Sequence, residues 1–254
     1  QFSSKLGFIL AAAGSAVGLG NVVAFPVMAS KNGGAAFLII YLFFIAFICY
    51  PVMMAEIAMG RRTNRNPVGA FSQLSNDHRG WRLAGKLAII TPFMIAVFYT
   101  VITVWLVVYM KEIATGGLEM LSSESAFGDI VARPTLFVYL LGLLCVIFCI
   151  LLGGVKNGIE RLARVLMPTL AVMLVSLTLF VLTLDNAVAG IRYYLVPDFS
   201  RMDLSVINGA LSQAFFSLSL GMGILITYGS YFSREDNIPQ STRMVAIADT
   251  SIAF

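Results

Sequence analysis

The stretch Gly14–Asn21 places three glycines and an asparagine in the middle of an apolar segment long enough to cross a membrane. Each glycine in a helix interior costs about 1 kcal/mol relative to alanine, and asparagine carries polar groups that hydrocarbon does not satisfy. Irregular backbone at that depth persists only where it is buried in protein or lines a cavity. The stretch therefore predicts a broken helix whose carbonyl and N–H groups face something that crosses the membrane.

The composition excludes a soluble globular domain, since 59% of the 254 residues are hydrophobic and 12% are charged. A hydrocarbon core about 30 Å thick requires about 20 helical residues. Apolar runs predict an all-α polytopic membrane bundle with spans at 7–29, 35–60, 87–110, 135–154, 162–184 and 206–232. A seventh run begins near 240 and stops at Phe254, which predicts that the chain is partial.

Basic residues concentrate in alternate loops: Arg61, Arg62, Arg65, Arg79, Arg82 and Lys86; Lys156, Arg161 and Arg164; Arg234 and Arg243. Because Lys and Arg favour cytoplasmic loops, we expect a plasma (inner) membrane protein with a cytoplasmic N-terminus. The charge follows topology and gives no evidence for a nucleic-acid partner. In the first of these loops, Val68, Phe71 and Leu74 have helical spacing, which predicts a short amphipathic helix on the inner surface.

The opposite loops and the cysteines give weaker signals. Segment 111–134 is expected to be partly helical, and segment 185–204 to be an ordered outer loop. Cys49, Cys145 and Cys149 fall inside spans, so we expect small buried apolar side chains rather than disulfide partners.

The sixth span carries a second break, Ser217–Gly223, again near its middle. Paired interrupted helices in corresponding halves of a transporter indicate a midplane binding site between inverted repeats. We therefore predict a first five-span repeat at 1–184, and an outer loop, sixth span and incomplete seventh span at 185–254. Residues 14–21 and 217–223 are predicted to be non-helical and to lie side by side near mid-membrane.

Further motifs lie around these breaks: Phe25-Pro26 and Asn32–Phe37, Glu56–Arg61, Asn157–Arg161 and Met167–Thr169, and Gln213–Gly223 with Thr227–Tyr231. In this order they resemble the first, second, fifth and sixth spans of the neurotransmitter:sodium symporters. The resemblance covers essentially the whole chain. It implies a sodium-coupled symporter of amino acids that works by alternating access, with the bilayer and the amino acid as its partners.

The resemblance implies a first sodium site whose ligands come from both breaks and from the seventh span: the Ala16 carbonyl, Asn21, Ser217 and Asp249. It also implies a second sodium site to which the carbonyls of Gly14 and Val17 contribute. Two simpler alternatives stay open, because Asn21 could cap the outer half-helix and Asp249 could lie near the inner interface.

An amino-acid substrate is expected where the half-helix ends meet. The N–H groups of Leu19 and Gly20 begin the outer half-helix, whose positive dipole end favours a carboxylate. Tyr99, in mid-span, needs an internal hydrogen-bond partner that the same carboxylate could provide. By resemblance, the pocket is lined by Ala16, Leu19, Gly20, Ile95, Tyr99, Phe216, Ser219 and Met222. It suits apolar or aromatic substrates, and plain helix packing is the alternative for Ile95 and Phe216.

Glu56 is an intramembrane carboxylate and so a functional candidate. The resemblance implies that it hydrogen-bonds the unwound backbone of the sixth span as structural support. A carboxylate that reaches the inner interface and a role in proton coupling are the alternatives.

Two positions depart from patterns found in the family. Ala24 stands where the family usually has an arginine of the outer gate, and the nearby polar position is Met28. Chloride-dependent relatives have anion ligands matching Tyr41, Gln213 and Ser217 and a further serine, which here is Ala253. Chloride is therefore not expected, and Asp249 would supply the negative charge.

Two other functions remain compatible with the sequence. A relative of the same fold could use other coupling or carry another solute, and a substrate sensor could bind without transport. An enzyme is not expected, because His78 is the only histidine and no catalytic pair or metal motif is present.

Overall fold

The computed structural model describes residues 5–233 and 235–254, in which every regular element is a helix. The all-α prediction is confirmed. The α-helices are α1 (Lys5–Ala16), α2 (Phe25–Lys31), α3 (Ala35–Phe44), α4 (Tyr50–Thr63), α5 (Pro67–Leu74), α6 (Arg79–Ala114), α7 (Leu118–Leu121), α8 (Ala126–Val131), α9 (Leu136–Leu152), α10 (Arg161–Val181), α11 (Ala187–Leu195), α12 (Leu204–Ser217), α13 (Ile224–Ser230) and α14 (Ile238–Ala253). Shorter π-helical segments occur at Gly20–Ala24, Ile45–Cys49 and Val155–Glu160, with one 3₁₀ turn at Phe199–Arg201. Arg234, one of the inner-loop cations, lies outside the described residues.

The helices form two compact units. One unit runs to Ile89 and resumes over Val155–Phe254, and it contains both breaks. The second unit is Ile90–Gly154. The core of the first unit includes the buried ring of Phe25, whose edge meets Tyr41 at a centroid distance of 4.9 Å.

The first break is narrower than the sequence predicts. Residues 14–16 remain in α1, because the Val17 N–H still donates to the Ala13 carbonyl at 2.7 Å. Val17 and Gly18 are not helical. The chain is helical again from Leu19, and a π-helical turn begins at Gly20. The two halves are bent by 52°. The prediction that 14–21 is non-helical throughout is therefore wrong at both of its ends.

The second break is a turn of six residues, 218–223, between α12 and α13, and Ser217 is the last helical residue before it. Three of its residues have positive φ: Ser219 at 55°, Gly221 at 74° and Gly223 at 67°. Glycine adopts this conformation without a Cβ penalty, whereas serine does so at a cost. Gly223 has a second constraint, since a Cβ added there would lie 3.0 Å from the Ala88 carbonyl oxygen.

The predicted loops are largely confirmed. The Asn66 side chain accepts a hydrogen bond from the Gly69 N–H at 2.8 Å and caps α5, the amphipathic helix that the spacing predicts. The outer segment 111–134 contains α7 and α8. Segment 185–204 is more helical than a loop, because it includes α11.

Fewer helices satisfy the requirements of a span than the six predicted. Among the described residues, Ala35–Thr63, Arg79–Ala114 and Val155–Val181 are long and apolar enough to cross a membrane. The bent pair Gly7–Ala16 and Gly20–Lys31 adds a fourth. Helix α9, with 17 residues, is shorter, and the sixth span is divided by the turn at 218–223.

The cysteine prediction is wrong for two of the three residues. Cys49 is buried, but Cys145 and Cys149 are exposed on α9, and all three are free. No residue of α9 is buried within the structure. An apolar composition does not distinguish a helix packed in protein from one that faces lipid, because lipid tails are as apolar as leucine.

Two glycines bring α4 and α13 into backbone contact. A Cβ added to Gly60 would lie 2.8 Å from the Ser230 nitrogen, and one added to Gly229 would lie 2.9 Å from Ile57 Cα. Small residues at such positions let helices approach closely in membranes. This contact fixes α13, the helix that follows the second break, against α4.

We expect Gly229→Ala to destabilise the protein by about 1–3 kcal/mol, because the added methyl group overpacks a backbone contact. Gly142→Ala on α9 is the matched control, since a Cβ there meets no atom within 4 Å and alanine favours a helix over glycine. The measurement is thermal unfolding of the full-length protein in detergent. Equal midpoints for the two variants would contradict the packing role of Gly229.

Candidate functional site

Helix α14 places a carboxylate between the two breaks. Its N-terminus is capped by Asn237, whose side chain accepts from the Gln240 N–H at 2.9 Å. Three turns later, Asp249 is completely buried. Its Oδ1 accepts from Asn21 Nδ2 at 2.7 Å, and its Oδ2 accepts from Ser217 Oγ at 2.7 Å. Asn21, Ser217 and Asp249, which the sequence assigns to one site, are therefore in direct contact.

The carboxylate has only neutral donors as neighbours in this cluster. Within residues 5–233 and 235–254, no Lys, Arg or His forms an ion pair with Asp249. A buried charge without a charged partner is costly. The Asp249 environment therefore favours neutralisation, either by a proton or by a bound cation that brings its own positive charge.

The Asn21 amide nitrogen marks a point on which oxygen atoms converge. Besides Asp249 Oδ1, it donates to the Asp249 carbonyl at 3.2 Å and to Ser217 Oγ at 3.2 Å. Three oxygen atoms thus surround one nitrogen. Hard cations prefer such oxygen ligands. Rotation of the amide by half a turn would present Oδ1 to the same point and would add a further oxygen, at the cost of the hydrogen bond that Oδ1 accepts from the Gly18 N–H.

The Asn21 side chain also holds the first break open. Its Oδ1 accepts from the Gly18 N–H at 3.2 Å. In a continuous helix that N–H would bond the Gly14 carbonyl, so the contact removes one donor from the helical ladder. Asn21 does not cap the outer half-helix. The N-cap position before the π-helical turn is occupied by Leu19, which makes no side-chain cap hydrogen bond.

Two further hydrogen bonds join the breaks. The buried Gln213 donates Nε2–H to the Gly20 carbonyl at 3.0 Å, and Ser219 Oγ donates to the Ser15 carbonyl at 3.4 Å. In the sequence, Gln213 has a specific role only as the counterpart of a chloride ligand, and Ser15 has none beyond its place in the first break. Their positions could have identified them. Ser15 lies within the predicted first break, and Gln213 lies one turn before the second.

Glu56 on α4 bonds the second break directly. The Gly221 N–H donates to Glu56 Oε1 at 2.7 Å. Glu56 is buried between α4 and this turn. The contact gives a backbone donor of the turn at 218–223 a partner that no helix provides, and it supports the structural role implied by the resemblance.

The other predicted residues of the first unit lie at the ends of the half-helices. Ala16 ends α1, Val17 is buried in the bend, and Leu19 precedes the π-helical turn. Phe216 is in the last turn of α12, and its carbonyl accepts from the Ser219 N–H at 3.1 Å. Met222 lies in the turn at 218–223 and is half-buried.

Ile95 and Tyr99 belong to the second unit. They are four residues apart on α6 and are both half-buried, so they share one face of that helix. The Tyr99 carbonyl accepts from Thr103 Oγ1 at 2.7 Å, and the Tyr99 ring lies at a centroid distance of 6.1 Å from Phe98. Their part in a substrate pocket stays a prediction.

The positions related to chloride and to the outer gate are also described. The Tyr41 hydroxyl is buried and has no hydrogen-bond partner among the described residues, and Ala253 is buried. Ala24 lies in the π-helical turn. Asn32 Nδ2 donates to the Met28 carbonyl at 2.7 Å, one turn back in α2.

These features match a known family. A profile of the sodium:neurotransmitter symporter family matches residues 1–129 and 118–254. The uncharacterized sodium-dependent transporter YhdH of Bacillus subtilis is 36% identical over 259 residues, covering 100% of this chain and 57% of that protein. Sodium- and chloride-dependent GABA transporter 2 of Rattus norvegicus is 28% identical over 296 residues, covering 100% of this chain and 49% of that protein.

A solved structure is similar over the whole chain. The crystal structure of MhsT in complex with L-phenylalanine has a TM-score of 0.88 and 43% identity, and the match covers 100% of this chain and 58% of that one. This chain spans about half the length of the curated relatives it matches. The matched proteins are membrane transporters rather than enzymes. The chain belongs to the sodium:neurotransmitter symporter family.

Proposed function

We propose that the full protein is a sodium-coupled symporter of apolar or aromatic amino acids. It resides in the plasma (inner) membrane with a cytoplasmic N-terminus. The observation that carries the proposal is the completely buried Asp249, which two neutral side chains, each beside a different helix break, contact. A site of this kind binds a cation and joins both breaks when it does so.

The first sodium ion would bind where the oxygens converge. Its ligands would be the Ala16 carbonyl, the Asn21 amide oxygen, Ser217 Oγ and the Asp249 carboxylate. Sodium would displace the Asn21 nitrogen from Asp249, because the amide oxygen and not the nitrogen suits a cation. The carbonyls of Gly14 and Val17 would contribute to a second sodium site.

The amino acid would bind beside the first sodium ion. Its carboxylate would meet the N–H groups at Leu19 and Gly20 and the Tyr99 hydroxyl. Its ammonium group would meet carbonyls near Phe216 and Ser219, and Ile95 and Met222 would contact the side chain. The similar protein MhsT binds L-phenylalanine in its crystal structure, which supports an aromatic or apolar substrate here. A substrate carboxylate that also touches sodium couples the two binding events.

Chloride would not be required. Asp249 supplies a fixed negative charge close to the sodium ions and to the substrate ammonium group, and such a charge offsets their mutual repulsion in a low-dielectric site. Ala253, in place of the serine of chloride-dependent relatives, removes an anion ligand. Neither Tyr41 nor Gln213 would then bind an anion. Tyr41 would serve packing, and Gln213 would bond the backbone.

Replacement of chloride by gluconate should leave sodium-driven uptake of labelled amino acids into proteoliposomes unchanged. Asp249→Asn keeps the shape of the side chain but removes its charge, and should abolish sodium-driven uptake in gluconate. Asp203→Asn is the matched control, since Asp203 caps α12 outside the cluster. Native uptake that collapses without chloride would overturn the assignment of Asp249.

Tyr99→Phe should weaken equilibrium binding of the amino acid by about 1–3 kcal/mol, because it removes a hydrogen bond to a charged group. Sodium affinity without substrate should change much less. Tyr109→Phe removes a hydroxyl from the same helix and serves as the control. Unchanged substrate affinity in Tyr99→Phe would exclude Tyr99 from the site while leaving the sodium cluster intact.

A further inference from the structure

One surface far from the breaks in sequence combines exposed cations with exposed apolar rings. It is formed by α5 and the first turns of α6, and we name it the basic–aromatic surface: Phe71, Leu74, Arg79, Trp81, Arg82, Leu83 and Lys86. The surface has a fixed base, because Pro67 and Ala70 of α5 are buried. Gly85 of α6 also packs on α5, since a Cβ there would lie 2.8 Å from Val68 Cα.

The cations of this surface share one helix face. Arg79, Arg82 and Lys86 are spaced i, i+3 and i+7 on α6, and all three are exposed. Arg82 Nη2 pairs with Asp77 Oδ1 at 3.1 Å. Two hydrogen bonds lower the pKa of Asp77, so that Asp77 stays ionised. The larger effect comes from Ser72 and the next from Arg82.

Two of these cations have no such partner. In the part of the chain that the structure describes, no ion pair involves Arg79 or Lys86. Asp77 is also the only acidic residue in segment 61–86, which contains six Lys or Arg residues. The surface therefore carries a net positive charge that attracts anions.

Apolar side chains lie directly beside the cations. The Trp81 side chain is 55% exposed and stacks on Phe71 with a centroid distance of 5.9 Å and an interplanar angle of 7°. Leu74 and Leu83 are exposed as well. From this surface α6 continues as a helix long and apolar enough to cross a membrane. Tryptophan is enriched where spans leave the hydrocarbon.

We propose that the basic–aromatic surface binds anionic phospholipids, with Arg79 and Lys86 on the phosphate and Trp81 at the boundary between the headgroups and the acyl chains. The combination of cations with exposed apolar rings selects a lipid over a soluble anion, because acyl chains cover the rings while phosphates neutralise the cations. The proposal is independent of the transported solute. It assigns this surface a ligand that has no part in the sodium cluster.

The test uses the full-length protein with Trp81 as its single tryptophan, which requires Trp105→Phe in this segment. The protein is reconstituted in bilayers of fixed phosphatidylglycerol and phosphatidylcholine content, in which either lipid carries brominated chains at equal mole fraction. Brominated phosphatidylglycerol should quench Trp81 fluorescence more strongly. Equal quenching by the two lipids, or none by either, would overturn the proposal without any further variant.

Two matched variants assign the preference to this surface. Arg79→Gln/Lys86→Gln should lower the preference for phosphatidylglycerol about fivefold per cation removed. Lys156→Gln/Arg161→Gln removes the same residue types from another exposed region, the π-helical segment Val155–Glu160 and the start of α10, and should preserve the preference. An equal loss in both variants would mean that net charge alone causes the preference for phosphatidylglycerol. It would contradict a lipid site at the basic–aromatic surface.

Discussion

A buried carboxylate, Asp249, to which the described residues 5–233 and 235–254 offer no cationic partner is the constraint on which the arrangement of the two breaks depends. Asp249 receives hydrogen bonds from one side chain beside each break, Asn21 just after the first and Ser217 just before the second. Neutral donors reduce the cost of burying that charge but do not cancel it. The same contacts hold α12 and the π-helical turn after α1 against α14, so that the chemistry of the site and the packing of the unit depend on one group.

The breaks themselves are maintained by side chains that take over backbone bonds. The Asn21 oxygen captures the Gly18 N–H, and Glu56 captures the Gly221 N–H. Each contact gives a backbone donor at a break a side-chain partner in place of a helical carbonyl. In a membrane, backbone outside a helix is tolerated only where it is buried in protein or lines a cavity. The two breaks are thus products of specific polar side chains and not only of glycine content.

The sequence predicted the parts of the site that depend on residue type. Glycine, asparagine and serine at mid-span located both breaks, and the carboxylates of Glu56 and Asp249 stood out in apolar segments. The extent of the first break was mispredicted, because the bond from Val17 to Ala13 that extends α1 is invisible in composition. The exposure of Cys145 and Cys149 was mispredicted for a related reason, since protein-facing and lipid-facing apolar residues are alike in sequence. The role of Gln213 needed its distance to the Gly20 carbonyl.

The most direct test of a cation site at Asp249 is a pair of high-resolution structures of the full-length protein, one in sodium and one in choline. We predict that sodium occupies the point where Ser217 Oγ and the Asp249 oxygens converge, and that the Asn21 amide turns so that its oxygen faces the ion. In choline the amide nitrogen should stay on Asp249. An amide nitrogen that remains bonded to Asp249 in saturating sodium, or an ion bound without Asp249, would contradict the account.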